Sequence, residues 1–142
     1  MTQSLFQNSK LIIYTDGGSR GNPGPSALGV VIGDKEYGQY LGTMTNNQAE
    51  YEALVFALKK ARELLGKTKA KLTELEVRMD SELIVKQMNA EYKIKDANLQ
   101  KLFMEIWNSR LDFKTVEFKH VRRESNKDAD RMVNKALDAA LK

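Results

Sequence analysis

Four acidic residues stand at positions where a charged side chain is unfavourable or has no obvious local role: Asp16, Glu50, Asp80 and Asp130. Asp16 follows the apolar run at 11–15, and a carboxylate at the end of a buried strand costs free energy unless something pairs with it. Carboxylates gathered in one place repel one another until a cation neutralises them. Sites built only from oxygen ligands select hard cations, chiefly Mg²⁺ and also Mn²⁺ or Ca²⁺. Two such cations about 3.5–4 Å apart suit in-line displacement at phosphorus, so the four acids predict cation-dependent chemistry on a phosphodiester.

Glu50 is predicted to point inward from a helix at 48–65. At 100° per residue, Leu54 and Ala57 fall within about 40° of Glu50, which puts the glutamate in the middle of the apolar stripe. Glu52 points to the far side, where we expect a solvated role. The alternative for Glu50 is a helix-dipole role, since acids near a helix N-terminus contribute a few tenths to about 1 kcal/mol.

The other three acids also have ordinary alternatives. Asp80 lies between a predicted strand and a predicted helix, where Asp commonly serves as the N-cap. Asp16 precedes a glycine, and Asp-Gly is a common turn pair. Asp130 lies in the first turns of the last predicted helix, where a helix-dipole or surface role is the default, and Asp128 is an equally plausible acid there. Each signal is weak alone, and the four together favour a cation site.

The pattern of apolar residues predicts an α/β fold with one five-stranded mixed sheet flanked by helices. Strands are predicted at 11–16, 27–32, 36–45, 75–79 and 116–121. Helices are predicted at 48–65, 81–89, 99–107 and 129–140. The sequence also predicts a glycine-rich turn at 17–25, a hairpin at Gly33 and Asp34, and bulges at Gly38 and Gly42.

The order of these elements predicts where the acids lie. The first three strands are expected to be antiparallel, and right-handed crossovers would place strands one, four and five in parallel. Ligands in such sheets bind beyond the carboxyl ends of the parallel strands, where Asp16 and Asp80 sit. We therefore expect Asp16, Glu50 and Asp80 at one end of the sheet, with Asp130 within reach.

Composition narrows the class of protein. The 142 residues favour one domain at 11–142 with a short N-terminal extension at 1–10. The chain has no cysteine and a single histidine, and this composition argues against a classical zinc site. The net charge of +4 is mild support for a polyanionic partner. The sequence shows neither a signal-peptide pattern nor a membrane-spanning apolar run, so we expect a soluble, cytoplasmic monomer.

Four motifs of this chain resemble ribonuclease H of type 1, in the short form that lacks a basic protrusion helix. They are Y-T-D-G-G-S-R-G-N-P-G-P around Asp16, T-N-N-Q-A-E-Y-E-A-L around Glu50, M-D-S-E-L around Asp80 and R-E-S-N-K-D-A-D around Asp130. The resemblance runs from about Leu11 to the C-terminus and implies a ribonuclease H-like fold. It implies endonucleolytic hydrolysis of the RNA strand of RNA–DNA hybrids, which leaves 5′-phosphate and 3′-hydroxyl ends.

The resemblance also implies the metal ligands. The family uses two Mg²⁺ ions, with Mn²⁺ as a possible substitute, held by a D-E-D-D set that falls here on Asp16, Glu50, Asp80 and Asp130. One ion would activate the attacking water and the other would stabilise the departing 3′ oxygen.

A second, polar set is implied to bind the substrate backbone and its 2′-hydroxyls. Its members are Gly17, Gly18, Asn22, Thr45, Asn46, Asn47, Gln48 and Ser81. The alternative is local turn and cap chemistry, which is common for Asn, Gln and Thr before a helix.

Two segments depart from the family pattern. Many members carry a loop histidine before the last acid, whereas alternation places His120 on the fifth strand with a packing or hydrogen-bonding role. Arg123 is the better candidate for a catalytic loop cation near the departing phosphate. The segment at 91–96 is too short for the basic helix, so we expect weaker hybrid binding or compensation by other lysines, and double-stranded RNA is a possible second substrate.

Three other functions remain as alternatives. One is a DNA nuclease of the same superfamily, against which the cluster Asn46, Asn47 and Gln48 argues. Another is a binding module for hybrids or RNA without turnover, which would do better without clustered negative charge facing phosphates. The last is a Ca²⁺-stabilised domain, which has no use for the glycine-asparagine turn.

Overall fold

The computed structural model describes residues 9–142. Its strands are β1 (Ser9–Ser19), β2 (Gly24–Ile32), β3 (Lys35–Met44), β4 (Thr73–Met79) and β5 (Thr115–His120). Its α-helices are α1 (Asn46–Leu65), α2 (Lys67–Lys71), α3 (Glu82–Met88), α4 (Ala97–Arg110) and α5 (Lys127–Ala140). A 3₁₀ turn at Arg123–Ser125 precedes α5. None of the helices within 9–142 is long and apolar enough to cross a bilayer.

The five strands form one mixed sheet in the order β3-β2-β1-β4-β5. β1, β2 and β3 are antiparallel, and β4 pairs in parallel with both β1 and β5. The predicted mixed sheet and its parallel strands are therefore confirmed. β2 has no exposed residue along its length, as expected of an inner strand that is covered on both faces.

Helices cover the two faces of the sheet unequally. α1 packs on β1 and β2, and α4 packs on the outer side of α1. The side of α1 that meets the core carries alanines at every fourth position, and Ala49, Ala53, Ala57 and Ala61 are fully buried. Small side chains at this spacing let the helix axis come close to the sheet. α5 packs on β1, β2 and β3, on the opposite face.

An ion cluster joins β1, β4 and β5. The carboxylate of Glu76 lies 2.8 Å from Lys10 Nζ, 2.6 Å from Arg78 Nε and 3.2 Å from Lys119 Nζ. Only 3 % of the Glu76 side chain is exposed. Hydrogen bonds from Lys10 and then Arg78 lower the pKa of Glu76 from 4.5 to about 2. The cluster thus stabilises an ionised carboxylate on the sheet.

The first part of the chain differs from the prediction at the glycines. β1 does not end at Asp16, because Gly17, Gly18 and Ser19 continue the strand and pair with β2. The predicted turn at 17–25 is reduced to residues 20–23. β1 also begins before the predicted domain boundary, since Ser9 and Lys10 pair with β4; the rest of the predicted extension, residues 1–8, lies outside the described residues.

One of the two predicted bulges is present. The register between β2 and β3 shifts between Ser26 and Ala27, and Gly42 at this point has a φ of +81°. Gly38 is in regular register opposite Gly29, so the bulge predicted there is wrong. Gly29 and Gly38 instead both face α5. A Cβ at Gly29 would lie 2.0 Å from the carbonyl oxygen of Ala129, and a Cβ at Gly38 would lie 2.7 Å from the carbonyl oxygen of Met132. The two glycines form a flat floor for the helix.

Two helical details were not foreseen. The lysine-rich segment of α2 forms a short helix, which its composition did not predict. Glu52, expected to be solvated, is half-buried, and burial together with the charge of Glu105 raises its pKa. The reason is that α4 packs over the side of α1 that was expected to face water.

Candidate active site

Three of the four predicted acids lie together where β1 and β4 separate. One carboxylate oxygen from each of Asp16, Glu50 and Asp80 lies within 4.8 Å of the other two. The parallel register pairs Tyr14 of β1 with Arg78 of β4, so Asp16 and Asp80 each stand two residues beyond this pair, Asp80 just after the end of β4. The sheet therefore brings the two aspartates together, as predicted, although Asp16 lies within β1 and not at its end.

Glu50 reaches the aspartates because α1 begins very close to β1. A Cβ at Gly17 would lie 2.3 Å from both the Ala49 carbonyl carbon and the Glu50 nitrogen, so any side chain at Gly17 would push the first turn of α1 away. The start of α1 is fixed by a capping box, in which the Thr45 side chain accepts from the Gln48 N–H and the Gln48 side chain accepts from the Thr45 N–H. Glycine and the capping box together place Glu50 at the site.

Asp130 occupies the rim of the same site. All four acids line one cavity of about 220 Å³, together with Gly17, Gly18, Ser19, Arg20, Asn46, Arg123, Val133, Asn134 and Leu137. We call this the acidic cavity. Asp130 is exposed and stands outside the group of three carboxylates. Asp128, equally plausible by composition alone, lies 3.4 Å from Arg131 and does not line the acidic cavity, so the fold agrees with the choice of Asp130 that the resemblance implied.

The acids perturb one another strongly. Burial, followed by the charges of Asp80, Glu50 and Asp130, raises the pKa of Asp16 from 3.8 to about 8. Burial and the charge of Asp80 raise the pKa of Glu50 from 4.5 to about 8, and the charge of Arg123 opposes that shift. Burial and mutual repulsion thus make the ionised form of these carboxylates unfavourable in the absence of a neutralising charge. A divalent cation supplies that charge, and an all-carboxylate donor set suits a hard one.

Asn126 is a site residue that the sequence analysis missed. Its side chain is 1 % exposed, and its amide Nδ2 donates to the Thr15 carbonyl at 2.9 Å and to Asp80 Oδ2 at 3.1 Å. Its Oδ1 has no hydrogen-bond partner within residues 9–142. Asn126 therefore joins β1 to the carboxylate that follows β4. Its position just before a helix resembles an ordinary N-cap, yet it makes no capping hydrogen bond.

The polar residues predicted to bind substrate use their oxygens inside the protein. Asn46 Oδ1 accepts from the Ser19 N–H at 3.2 Å, Asn22 Oδ1 accepts from the Asn46 N–H at 3.0 Å, and Gln48 Oε1 accepts from the Thr45 N–H at 3.0 Å. Turn and cap chemistry, the alternative for these residues, is therefore present. It also fixes which way each amide points, because the backbone N–H groups hold the oxygens. Within 9–142, the amide nitrogens of Asn22, Asn46 and Gln48 donate to no protein group, which leaves three donors for a ligand.

The other predicted binding residues are Gly17, Gly18, Asn47 and Ser81. Gly17 and Gly18 line the acidic cavity, and Asn47 is exposed on the first turn of α1. Ser81 is the N-cap of α3 and accepts from the Ile84 N–H at 3.3 Å. That leaves Asp80 one residue outside the helix, so the N-cap alternative for Asp80 is wrong.

The two candidate loop cations occupy different places. Arg123 lines the acidic cavity and its charge acts on the pKa of Glu50, and its role near the departing phosphate stays a prediction. His120 is the last residue of β5, as predicted, but its side chain is exposed, so the packing role proposed for it is wrong. It does not line the acidic cavity.

The chain was compared with known proteins. Residues 14–136 match the family of reverse transcriptase-like domains. The crystal structure of LC11-RNase H1 in complex with an RNA/DNA hybrid superposes with a TM-score of 0.87 at 46 % identity, covering 93 % of this chain and 99 % of that one. The chain belongs to the ribonuclease H family. A related structure of LC11-RNase H1, isolated from compost by a metagenomic approach, gives a TM-score of 0.88 at 47 % identity over 94 % of this chain and 99 % of that one.

Relatives of this ribonuclease H chain occur in longer proteins. Ribonuclease HI of Halobacterium salinarum is 38 % identical over 133 residues, which are 89 % of this chain and 64 % of that protein. The bifunctional protein Rv2228c of Mycobacterium tuberculosis is 38 % identical over 138 residues, which are 92 % of this chain and 36 % of that protein. The chain thus spans about a third of the length of the mycobacterial relative.

Proposed function

We propose that this protein is a metal-dependent endonuclease that hydrolyses the RNA strand of RNA–DNA hybrids and leaves 5′-phosphate and 3′-hydroxyl ends. The observation that carries the proposal is the convergence of Asp16, Glu50 and Asp80 within 4.8 Å in a member of the ribonuclease H family. LC11-RNase H1, 46 % identical, has been crystallised with an RNA/DNA hybrid, which supports a hybrid as the ligand here.

The acidic cluster supports a divalent-cation site, and we propose that the acidic cavity takes two cations, Mg²⁺ in the first place and Mn²⁺ as an alternative. Asp16, Glu50 and Asp80 would hold them, with Asp130 as the exposed fourth ligand at the rim. Cations bound there would lower the pKa of a water and stabilise the charge on the departing 3′ oxygen. No side-chain nucleophile is then required.

The chain's own residues orient the substrate. The outward amide donors of Asn22, Asn46 and Gln48 meet groups that accept hydrogen bonds, such as 2′-hydroxyl and phosphate oxygens. Because only RNA carries the 2′-hydroxyl, such contacts select the RNA strand. The guanidinium of Arg123, beside Glu50, places a positive charge where the scissile phosphate accumulates negative charge. We propose that the protein acts as a monomer and that double-stranded RNA is a weaker substrate.

A cleavage assay tests the proposal directly. Labelled hybrid, double-stranded RNA and double-stranded DNA of one sequence are incubated with the protein and Mg²⁺, Mn²⁺ or EDTA. We expect cuts only in RNA strands, strongest in the hybrid, and none with EDTA. Cleavage of the DNA duplex would identify a DNA nuclease of the same superfamily, and hybrid binding without cleavage would identify a binding module.

A matched pair of variants tests the acids. Asp80→Asn removes one cation ligand from the group of three and should abolish cleavage while hybrid binding is retained or tightened. Asp128→Asn alters an exposed acid on the same side of the molecule that does not line the acidic cavity and should cleave normally. Normal cleavage by Asp80→Asn would rule out its role as a ligand.

A further inference from the structure

Arg20 is a second arginine at the acidic cavity. It lies in the turn between β1 and β2 and lines the acidic cavity together with Arg123. Its guanidinium Nη2 lies 2.7 Å from Asp138 Oδ1 and 3.3 Å from Asn134 Oδ1, both on α5. The two arginines therefore stand at the same cavity as the four carboxylates.

The partner of Arg20 is one that a phosphate can replace. The Arg20 side chain is 41 % exposed and that of Asp138 is 69 % exposed, and an ion pair in water at such exposure contributes little to stability. A phosphate offers the guanidinium two oxygens in the planar arrangement that arginine binds best. Asp138 also keeps the guanidinium extended toward α5 before any ligand arrives, which lowers the entropy lost on binding.

We propose that Arg20 binds a phosphate of the strand that is cut, beside the scissile phosphate, and exchanges Asp138 for it when the substrate enters. This rests on the proposed function, because a strand that lies across Asp16, Glu50 and Asp80 meets Arg20 at the wall of the same cavity. Arg20 is then a substrate-binding residue of the RNA strand. Asp138 then competes with the phosphate for the Arg20 guanidinium, and it keeps that guanidinium extended toward α5 while no substrate is bound.

The alternative is purely structural. Arg20 also connects the β1–β2 turn to α5, since Asn134 in turn donates to the Asp130 carbonyl at 3.1 Å. If Arg20 only fixed α5, loss of either partner of the ion pair would have the same effect. A phosphate-binding Arg20 predicts unequal effects, because removal of the arginine deletes the contact whereas removal of the Asp138 charge only frees the arginine.

The test measures hybrid affinity in the Asp80→Asn background with Mg²⁺, over a series of salt concentrations. Arg20→Ala should raise the dissociation constant about tenfold and reduce the slope of log affinity against log salt by about one. Asp138→Asn should leave the dissociation constant unchanged or lower it. Lys135→Ala, which removes an exposed cation of α5 away from the acidic cavity, is the control and should change affinity by less than about twofold.

The outcomes separate this inference from the proposed function. Equal weakening by Arg20→Ala and Asp138→Asn, or no effect of Arg20→Ala, would overturn the role of Arg20 while the parent protein still binds and cleaves hybrid. Failure of the parent protein to cleave hybrid would overturn the proposed function itself. Urea unfolding of each variant verifies that the folded state is intact, as expected for two exposed side chains.

Discussion

Asn126 shows how one buried amide sets the geometry of the carboxylates. Its two N–H groups are shared between the carbonyl of Thr15, next to Asp16, and the carboxylate of Asp80. Since the amide is almost fully buried, neither acceptor can exchange it for water without local opening. The relative position of the two aspartates is therefore coupled to Asn126, which comes from a different part of the chain.

We expect Asn126→Ala to damage activity more than stability. The change leaves the Thr15 carbonyl without its donor, which costs about 1–3 kcal/mol of unfolding free energy. It also frees the Asp80 carboxylate, and a displacement of about 1 Å at a reacting group lowers kcat about 100-fold. Urea unfolding and cleavage kinetics measure the two effects, and Ser125→Ala, at the exposed neighbouring position, serves as the control. A kcat within twofold of the parent value would contradict the positioning role.

Sequence reasoning succeeded for residues whose placement follows from periodicity. The phase of Glu50 on its helix was visible in the spacing of the alanines and leucines, and the structure places it at the acidic cavity. Composition and spacing did not separate Asp130 from Asp128, because that choice depends on how α5 packs on the sheet, and only the motif resemblance favoured Asp130. Sequence reasoning also missed Asn126, since an amide before a helix is read locally as a cap, whereas both of its acceptors lie far away in sequence.

At the scale of the elements, the ion cluster around Glu76 makes the stability of the folded protein depend on pH. The folded-state pKa of about 2 lies below the ordinary value of 4.5, so the ionised carboxylate favours the folded protein. This stabilisation is complete above about pH 4.5 and is lost as the pH falls toward about 2. Glu76→Gln should therefore lose less stability than the parent protein between about pH 7 and about pH 3.

Urea unfolding at several pH values measures this difference. Glu117→Gln is the matched control, because Glu117 of β5 pairs with Glu76 of β4 but is exposed. It should follow the parent protein. Parallel pH profiles for Glu76→Gln and the parent protein would show that the cluster does not hold Glu76 in its ionised form.

The close packing of α5 against the sheet glycines Gly29 and Gly38 is a second feature at this scale. Gly29→Ala would place a methyl group 2.0 Å from the Ala129 carbonyl oxygen, which is backbone and cannot swing aside. We expect a loss of about 1–3 kcal/mol from overpacking and reduced cleavage, because α5 carries Asp130. Gly18→Ala meets only Cγ1 of Val133 at 3.1 Å, so its loss of stability should be smaller. Urea unfolding ranks the two, and the reverse order would contradict this account.

The element boundaries that the sequence missed share one physical cause. Gly17 and Gly18 read as a turn, yet they are strand residues because the backbone of β2 pairs with them. Gly38 read as a bulge, yet it lacks a side chain because Met132 lies against it. A glycine can be required because a neighbouring group leaves no room for a side chain or because the backbone adopts an unusual φ. The local sequence does not distinguish these two reasons. The directions of the strands, by contrast, followed from connection rules that hold for most sheets.

For the molecule as a whole, the charge distribution predicts how binding responds to salt. The net charge is +4, although four acids line the acidic cavity, so the basic residues elsewhere must attract the polyanion. We expect log affinity for hybrid to fall linearly with log salt, with a slope of about two or more, since each phosphate contact contributes about 0.7–0.9. Fluorescence anisotropy with the Asp80→Asn protein measures it. An affinity that does not change with salt would contradict the role of the basic surface.

The wide separation of the acids along the chain has a consequence for biosynthesis. Asp16 lies in the first described strand and Asp130 in the last helix, and β1 pairs with β4 only after the intervening hairpin and helices have been made. A nascent chain still on the ribosome therefore holds an incomplete set of ligands until Asp130 has emerged and α5 can pack on the sheet. Hydrolytic capacity of the proposed kind therefore requires both the pairing of β1 with β4 and the packing of α5 on the sheet.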